Sequence, residues 1–301
     1  MGKRLSSGRV IGTSFVVDFS DIVLSVIVAL LSGSVVMLAE AVQGAADLLT
    51  SGLLLIGVRQ SRQRADKEHA FGYGRAIYFW TLLAAVIMFA GTATLSIHYG
   101  WERFLNPHPI TNLPLALLVL AIGFCSNSYA LYLSALRLKN QEHSRSLLSA
   151  LIVSDLIETK ATFVLDLMGT TAAAFGLISL LAYHFTGNLR LDGLGAVLIG
   201  ATIAVLAFWL IVEVRDLLIG RSARPETEAK IKNAVLKHLG VREVLDLRTM
   251  YIGAERLLVN IEVKLAPGLT TIKIEHLMDA IKVGVKQAVP SVHHVQIELE
   301  S

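Results

Sequence analysis

The chain has 301 residues, 54% of them hydrophobic, and a formal net charge of +3. With only 17% charged residues it is too apolar for an ordinary soluble domain of this length, and so small a net charge gives no basis for nucleic acid as a partner. A single cysteine, Cys125, excludes an intrachain disulfide framework and a thiolate zinc cluster.

The apolar residues fall in long blocks as far as about residue 220. A bilayer core takes about 20 apolar residues in helix. Six stretches reach that length: 10–31, 34–58, 76–99, 113–136, 158–183 and 191–214. The first follows a short basic start, carries Asp18 and Asp21, and has no small-residue cleavage pattern, so it reads as a retained helix. The approach to the fifth is interrupted by Asp155, Glu158 and Lys160, and Asp166 lies within it.

Basic residues alternate between the loops. Lys3, Arg4 and Arg9 precede the first span. Arg59, Arg62, Arg64, Lys67 and Arg75 lie between the second and third. Arg137, Lys139 and Arg145 lie between the fourth and fifth, and Arg215, Arg221 and Arg224 follow the sixth. The other loops are short and carry few positive charges. Positive residues stay inside, which places both termini in the cytoplasm.

After Arg224 the chain reads as soluble. Pro225 suits a helix start, with Glu226 and Glu228 in its first turn. Helix to about 239, strands at 244–252 and 257–265, a helix at 272–288 and a strand at 292–299 give the order αββαβ. The predicted architecture is thus a six-helix membrane domain at 1–220 and a small cytoplasmic α+β domain of two layers at 221–301. A domain of about 80 residues is small for independent stability, and dimerisation would support it.

Ionisable groups inside a membrane are costly, so their positions carry the most information. Glu40, Gln43 and Asp47 in the second span are spaced three and four apart, on one helical face. Asp155, Glu158, Thr162 and Asp166 at the fifth are spaced three, four and four. Facing carboxylates repel unless a cation lies between them, and oxygen ligands suit hard or borderline divalent ions. An interhelical hydrogen bond that only holds the bundle is the alternative for these residues. Asp18 and Asp21 share a face of the first helix, where a water-filled entry and simple structural pairing both fit.

Several strings resemble the cation diffusion facilitator family of divalent metal transporters. SVVMLAEAVQGAADLLTS, residues 34–51, resembles the family's second helix. DKEHAFGYGR, residues 66–75, resembles the loop after it, and Asp192–Gly193 the opening of the sixth helix. The runs at 240–244 and 292–295 resemble patterns of the family's cytoplasmic tail, a ferredoxin-like or metallochaperone-like fold. The resemblance implies a transport site at Gln43, Asp47, Thr162 and Asp166, with an atypical residue at Gln43 and at Thr162. Glu40 and Glu158 lie about one turn from that site. Asp66 and His69 resemble a second, cytoplasmic metal site in which Tyr73 stands for the usual second histidine. Arg75 resembles a position that forms an ion pair near the cytoplasmic face; its usual partner falls at Gly220, and Asp216 is the substitute one turn earlier.

The implied function is export of a divalent cation, such as manganese, iron, zinc or cobalt, in exchange for protons, by a homodimer in a bacterial-type cell membrane. The metal is the substrate and no cofactor is implied. Losing imidazole at the site shifts the expected ion from zinc towards manganese, ferrous iron or magnesium. The alternative is a family member that no longer transports and acts as a scaffold or regulatory partner. In the tail, His276, His293, His294, Asp246, Glu262, Glu298 and Glu300 are candidate ligands, and the adjacent histidines are expected on opposite faces of a strand. No nucleophile motif, phosphate-binding glycine loop or H-E-x-x-H pattern is present, so an enzyme is not expected.

Overall fold

A computed structural model describes residues 7–141, 147, 151, 157–254 and 256–300 of the chain. The chain divides into two compact units, Met1–Ile56 with Trp80–Glu213, and Gly57–Phe79 with Val214–Ser301.

The first unit is built from helices. They are α1 (Ser7–Ser32), α2 (Val35–Ser61), α3 (Ala76–Leu105), α4 (Leu113–Gln141), α5 (Ile157–Thr186) and α6 (Arg190–Ile219), the last residues of α2 and α6 and the first of α3 falling in the second unit. Among the described residues, α2 to α6 are each long and apolar enough to cross a bilayer, and the described end of α1, Phe19–Ser32, is a shorter apolar helix. Large apolar side chains such as Leu30, Leu118, Ile178, Val205 and Phe208 are exposed. Backbone groups satisfied within each helix and apolar side chains turned outward are what a lipid environment demands. The helices run past the apolar windows: the polar last turn of α2, with Arg59, is still helical. α3 contains a π-helical turn at Met88–Ala93.

Small residues let these helices approach closely. A methyl group on Gly193 of α6 would lie 2.6 Å from the Gly100 carbonyl of α3. α4 and α5 are the most extensively packed pair of membrane helices among the described residues.

The second unit carries α7 (Pro225–Leu236), β1 (Val241–Gly253), β2 (Arg256–Leu265), α8 (Thr271–Ala288) and β3 (Val292–Glu300), the expected αββαβ order. β2 is central, antiparallel to β1 and parallel to β3. Leu257, Val259, Ile261 and Val263 alternate along β2 and are fully buried, as are Ile231 and Val235 of α7 and Ile281 and Val285 of α8. One face of the sheet is therefore the core and the other is polar. In the same unit the loop after α2 meets the β1–β2 turn backbone to backbone: a methyl group on Gly74 would lie 3.1 Å from Gly253 Cα. Only glycine fits at such an approach.

Candidate functional site

α2 places Glu40, Gln43 and Asp47 on one face, and that face lines a cavity of about 310 Å³ in the first unit. Asp166 and Gly169 of α5, Asn127 of α4, and Asp21 of α1 complete its polar wall. Gln43 is 2% exposed; its Nε2 donates to Asp47 Oδ1 at 3.0 Å. Its Oε1, like Glu40 Oε2, is buried with no hydrogen-bond partner. Ser134 and Arg137 of α4 stand beside Asp166. A buried acceptor left without a donor costs about 1–3 kcal/mol. Such a cost is maintained where a bound species supplies the missing partner.

The structure thus brings Glu40, Gln43, Asp47 and Asp166 to one cavity. It leaves Thr162 and Glu158 off the cavity wall, with Thr162 Oγ1 donating to the Glu158 carbonyl at 2.9 Å. Asp155 and the side chain of Asp18 lie outside the described residues. Among the described residues, no three His, Cys, Asp or Glu side chains are grouped closely enough to hold a metal ion. Any metal at this cavity therefore needs neutral oxygens as well as carboxylates.

Asp66 and His69 lie in the exposed loop after α2, and their side chains are engaged with each other and with Tyr73. Tyr73 OH donates to Asp66 Oδ2 at 2.8 Å, and the backbone N–H groups of Glu68 and His69 donate to Oδ1 at 2.9 and 2.7 Å. His69 Nδ1 is 3.7 Å from the same carboxylate, with its ring 4.1 Å from that of Tyr73. The Tyr73 hydroxyl, and the amide bond from His69, hold the Asp66 carboxyl below its ordinary range. The tyrosine fills the carboxylate's second oxygen instead of offering a second imidazole.

Arg75 does not pair with Asp216. Asp216 bonds its neighbour Arg215 at 2.9 Å, while the Arg75 guanidinium lies 3.0 Å from the Met250 sulfur. In the sheet, the β2–β3 register moves from Leu257↔Val292 to Leu258↔His294. His293 is therefore an extra, bulged residue, and both histidines are exposed rather than on alternating faces. Asp246 pairs with Arg248 at 2.7 Å, and Asn260 donates to Glu298 at 3.0 Å.

Two buried ion pairs escape sequence reasoning. Asp192 is fully buried and accepts from Ser34 Oγ, the Val35 and Val36 amides, and Arg103 Nε at 2.6–3.1 Å. Lys160 of α5, 2% exposed, pairs with Glu213 of α6 at 2.7 Å. Their partners are 89 and 53 residues away, so no local spacing signals them.

Comparison with known proteins decides the family. The model of the cation efflux transmembrane domain matches residues 12–219, and that of the cation efflux protein cytoplasmic domain matches 223–301. The chain belongs to the cation efflux family. It is a multi-pass membrane protein with a C-terminal α+β domain. The human mitochondrial proton-coupled zinc antiporter SLC30A9 is 26% identical over 236 residues, 77% of this chain and 41% of that protein. The chain thus spans about two fifths of the length of that relative. The cation-efflux pump FieF of Shewanella oneidensis is 29% identical over 259 residues, 86% of this chain and 82% of that one. The zinc transporter ZitB of Pectobacterium atrosepticum is 26% identical, covering 84% and 74% of the two chains. Among solved structures, a nickel form of a MamM CTD variant is 20% identical, covers 26% of this chain and 98% of its own, and has a TM-score of 0.25.

Proposed function

We propose that this chain exports a divalent metal cation from the cytoplasm in exchange for protons. The observation that carries the reading is the single cavity where Asp47 of α2 and Asp166 of α5 meet, with Gln43 and Glu40 on the same wall. Carboxylates there bind either a divalent ion or protons, so one site serves both directions of an antiport cycle as access alternates. The names of the relatives, a proton-coupled antiporter, a cation-efflux pump and a zinc transporter, support the same chemistry. The all-oxygen wall favours manganese, ferrous iron or magnesium over zinc, although two of those relatives are named for zinc. Residues 1–220 form the transport domain and 221–301 a dimerisation domain, with both termini cytoplasmic and two copies in the working unit. The matched cytoplasmic-domain family supports the last point.

A second reading keeps the fold and drops the transport. The absence of any three-residue cluster of metal-binding side chains among the described residues favours it. Proton-driven flux of manganese, ferrous iron, cobalt, zinc and cadmium into proteoliposomes separates the two. Transport predicts flux that disappears when Asp47 and Asp166 are both replaced by alanine, with the variant still folded. No flux of any of these metals from folded, dimeric protein would leave the scaffold reading.

A further inference from the structure

Two carboxylates do not complete a divalent-cation site. Hard and borderline ions with oxygen ligands take about six donors. Glu40 and Asp21 line the same cavity, yet among the described residues no three His, Cys, Asp or Glu side chains are grouped closely enough to hold an ion. Thr162 is off the wall, its hydroxyl spent on the Glu158 carbonyl. Neutral oxygens on the cavity surface, with water, supply the remaining donors.

Two carboxamides stand there. Gln43 Oε1 is buried, unpartnered and on the wall, and its own amide nitrogen steadies Asp47. Asn127 of α4 is the second. It converges with Asp47 on a point of α5 that has no side chain: a methyl group on Gly169 would lie 3.4 Å from Asn127 Cγ and Nδ2 and 3.5 Å from Asp47 Oδ2. Gly169 thus keeps open the space between α2, α4 and α5 into which Asp166, one turn before it, also opens. We infer that Asn127 is a ligand for the transported cation, supplying the oxygen that Thr162 does not. The inference rests on the transport reading and names the ligands of that same site.

The chemistry is consistent. An amide oxygen coordinates a hard ion without adding negative charge to a cavity that already holds the carboxylates of Asp21, Glu40, Asp47 and Asp166. A half-turn of the carboxamide about its last bond presents oxygen in place of nitrogen. Three helices, rather than two, then surround the ion, and α4 packs closely against α5.

The test is manganese and zinc binding, by calorimetric titration, to the purified full-length protein, with flux in proteoliposomes beside it. Asn127→Ala should weaken manganese binding at least about tenfold, the effect of losing one bond to a charged partner. Asn127→Asp, which keeps an oxygen in the same place, should retain binding, and Thr162→Val should bind as the wild type does. Asn127→Ala at wild-type affinity would overturn the inference. So would Asn127→Asp as weak as the alanine variant, because that marks the amide as a hydrogen-bond donor in helix packing. Binding lost in Asp47→Ala but kept in Asn127→Ala sinks this inference alone. A wild-type protein that binds neither metal sinks the transport reading with it.

Discussion

At the N-terminus of α2 the carboxylate of Asp192 is enclosed by a hydroxyl, two amides and a guanidinium. Roughly 10 Å further along the same helix, at 1.5 Å per residue, Glu40 and Gln43 carry buried oxygens with no hydrogen-bond partner. The first cluster is complete without any ligand. Its carboxylate caps the helix, neutralises Arg103, and ties α2, α3 and α6 together, while Arg103 also donates to the Gly33 carbonyl at 2.6 Å. The second is incomplete by the same rules. Buried polar groups are normally satisfied within the protein, so an unsatisfied set gathered around a cavity marks where something else binds. The comparison separates polar residues that hold the bundle from polar residues that, on the transport reading, await a substrate.

The largest stability effect expected is at the complete cluster. Asp192→Ala leaves the Arg103 guanidinium, 9% exposed, without its counter-charge, and strips three donors around α2 of their acceptor. Breaking a buried pair from one side costs about 3–5 kcal/mol. The thermal midpoint of the purified protein should fall steeply, and a manganese concentration that saturates the wild type should not restore it. A midpoint within a degree or two of wild type would remove the clamp from the comparison.

The opposite sign is expected at the cavity. Glu40→Leu replaces a carboxylate with an unpartnered buried oxygen by an apolar group of similar size. Such exchanges are neutral or stabilising, by up to about 1 kcal/mol. Stability should therefore hold or rise while proton-driven metal flux falls, the pattern of a residue kept for function at the expense of packing. A fall in midpoint like that of Asp192→Ala would show that Glu40 holds the bundle instead.

How far the sequence exposes these two clusters follows from the range of the interactions. Apolar run length is a local signal, so all six helical blocks and the αββαβ tail are legible in the order of the amino acids alone. The face of Glu40, Gln43 and Asp47 is legible too, because three- and four-residue spacing maps directly onto one side of a helix. Arg103 is not. The apolar count ends α3 near residue 99, but the helix runs on to Leu105 and buries Arg103 against a carboxylate 89 residues away. Asn127 sits in the polar triplet Ser126–Asn127–Ser128 of an apolar helix, a signal that reads equally as interhelical glue. Only the convergence of α4 with Asp47 at Gly169 distinguishes it. The π-turn of α3 and the bulge at His293 leave no mark that propensity or alternation detects.

Asp66 sharpens the comparison from a third side, as a carboxylate fully hydrogen-bonded yet exposed. Its bonds to the Tyr73 hydroxyl and the His69 and Glu68 amides favour the charged form and lower its pKa from the ordinary 3.8. A carboxyl whose folded pKa is depressed stabilises the fold above its unfolded pKa, and that contribution fades as pH falls through the folded value. The loop should therefore be unaffected by this group across neutral and mildly acidic pH and loosen only below about pH 4. The Tyr73 hydroxyl, held by the same bond, has its pKa raised. Tyr73→Phe removes the largest of the lowering contributions, so the Asp66 titration midpoint, followed by the NMR shift of its carboxyl carbon, should move up towards 3.8. The shift should be small, because water competes for every one of these bonds. An Asp66 that titrates at the ordinary value in both proteins would show that hydrogen bonds which fix a buried carboxylate such as Asp192 do little for one that water reaches.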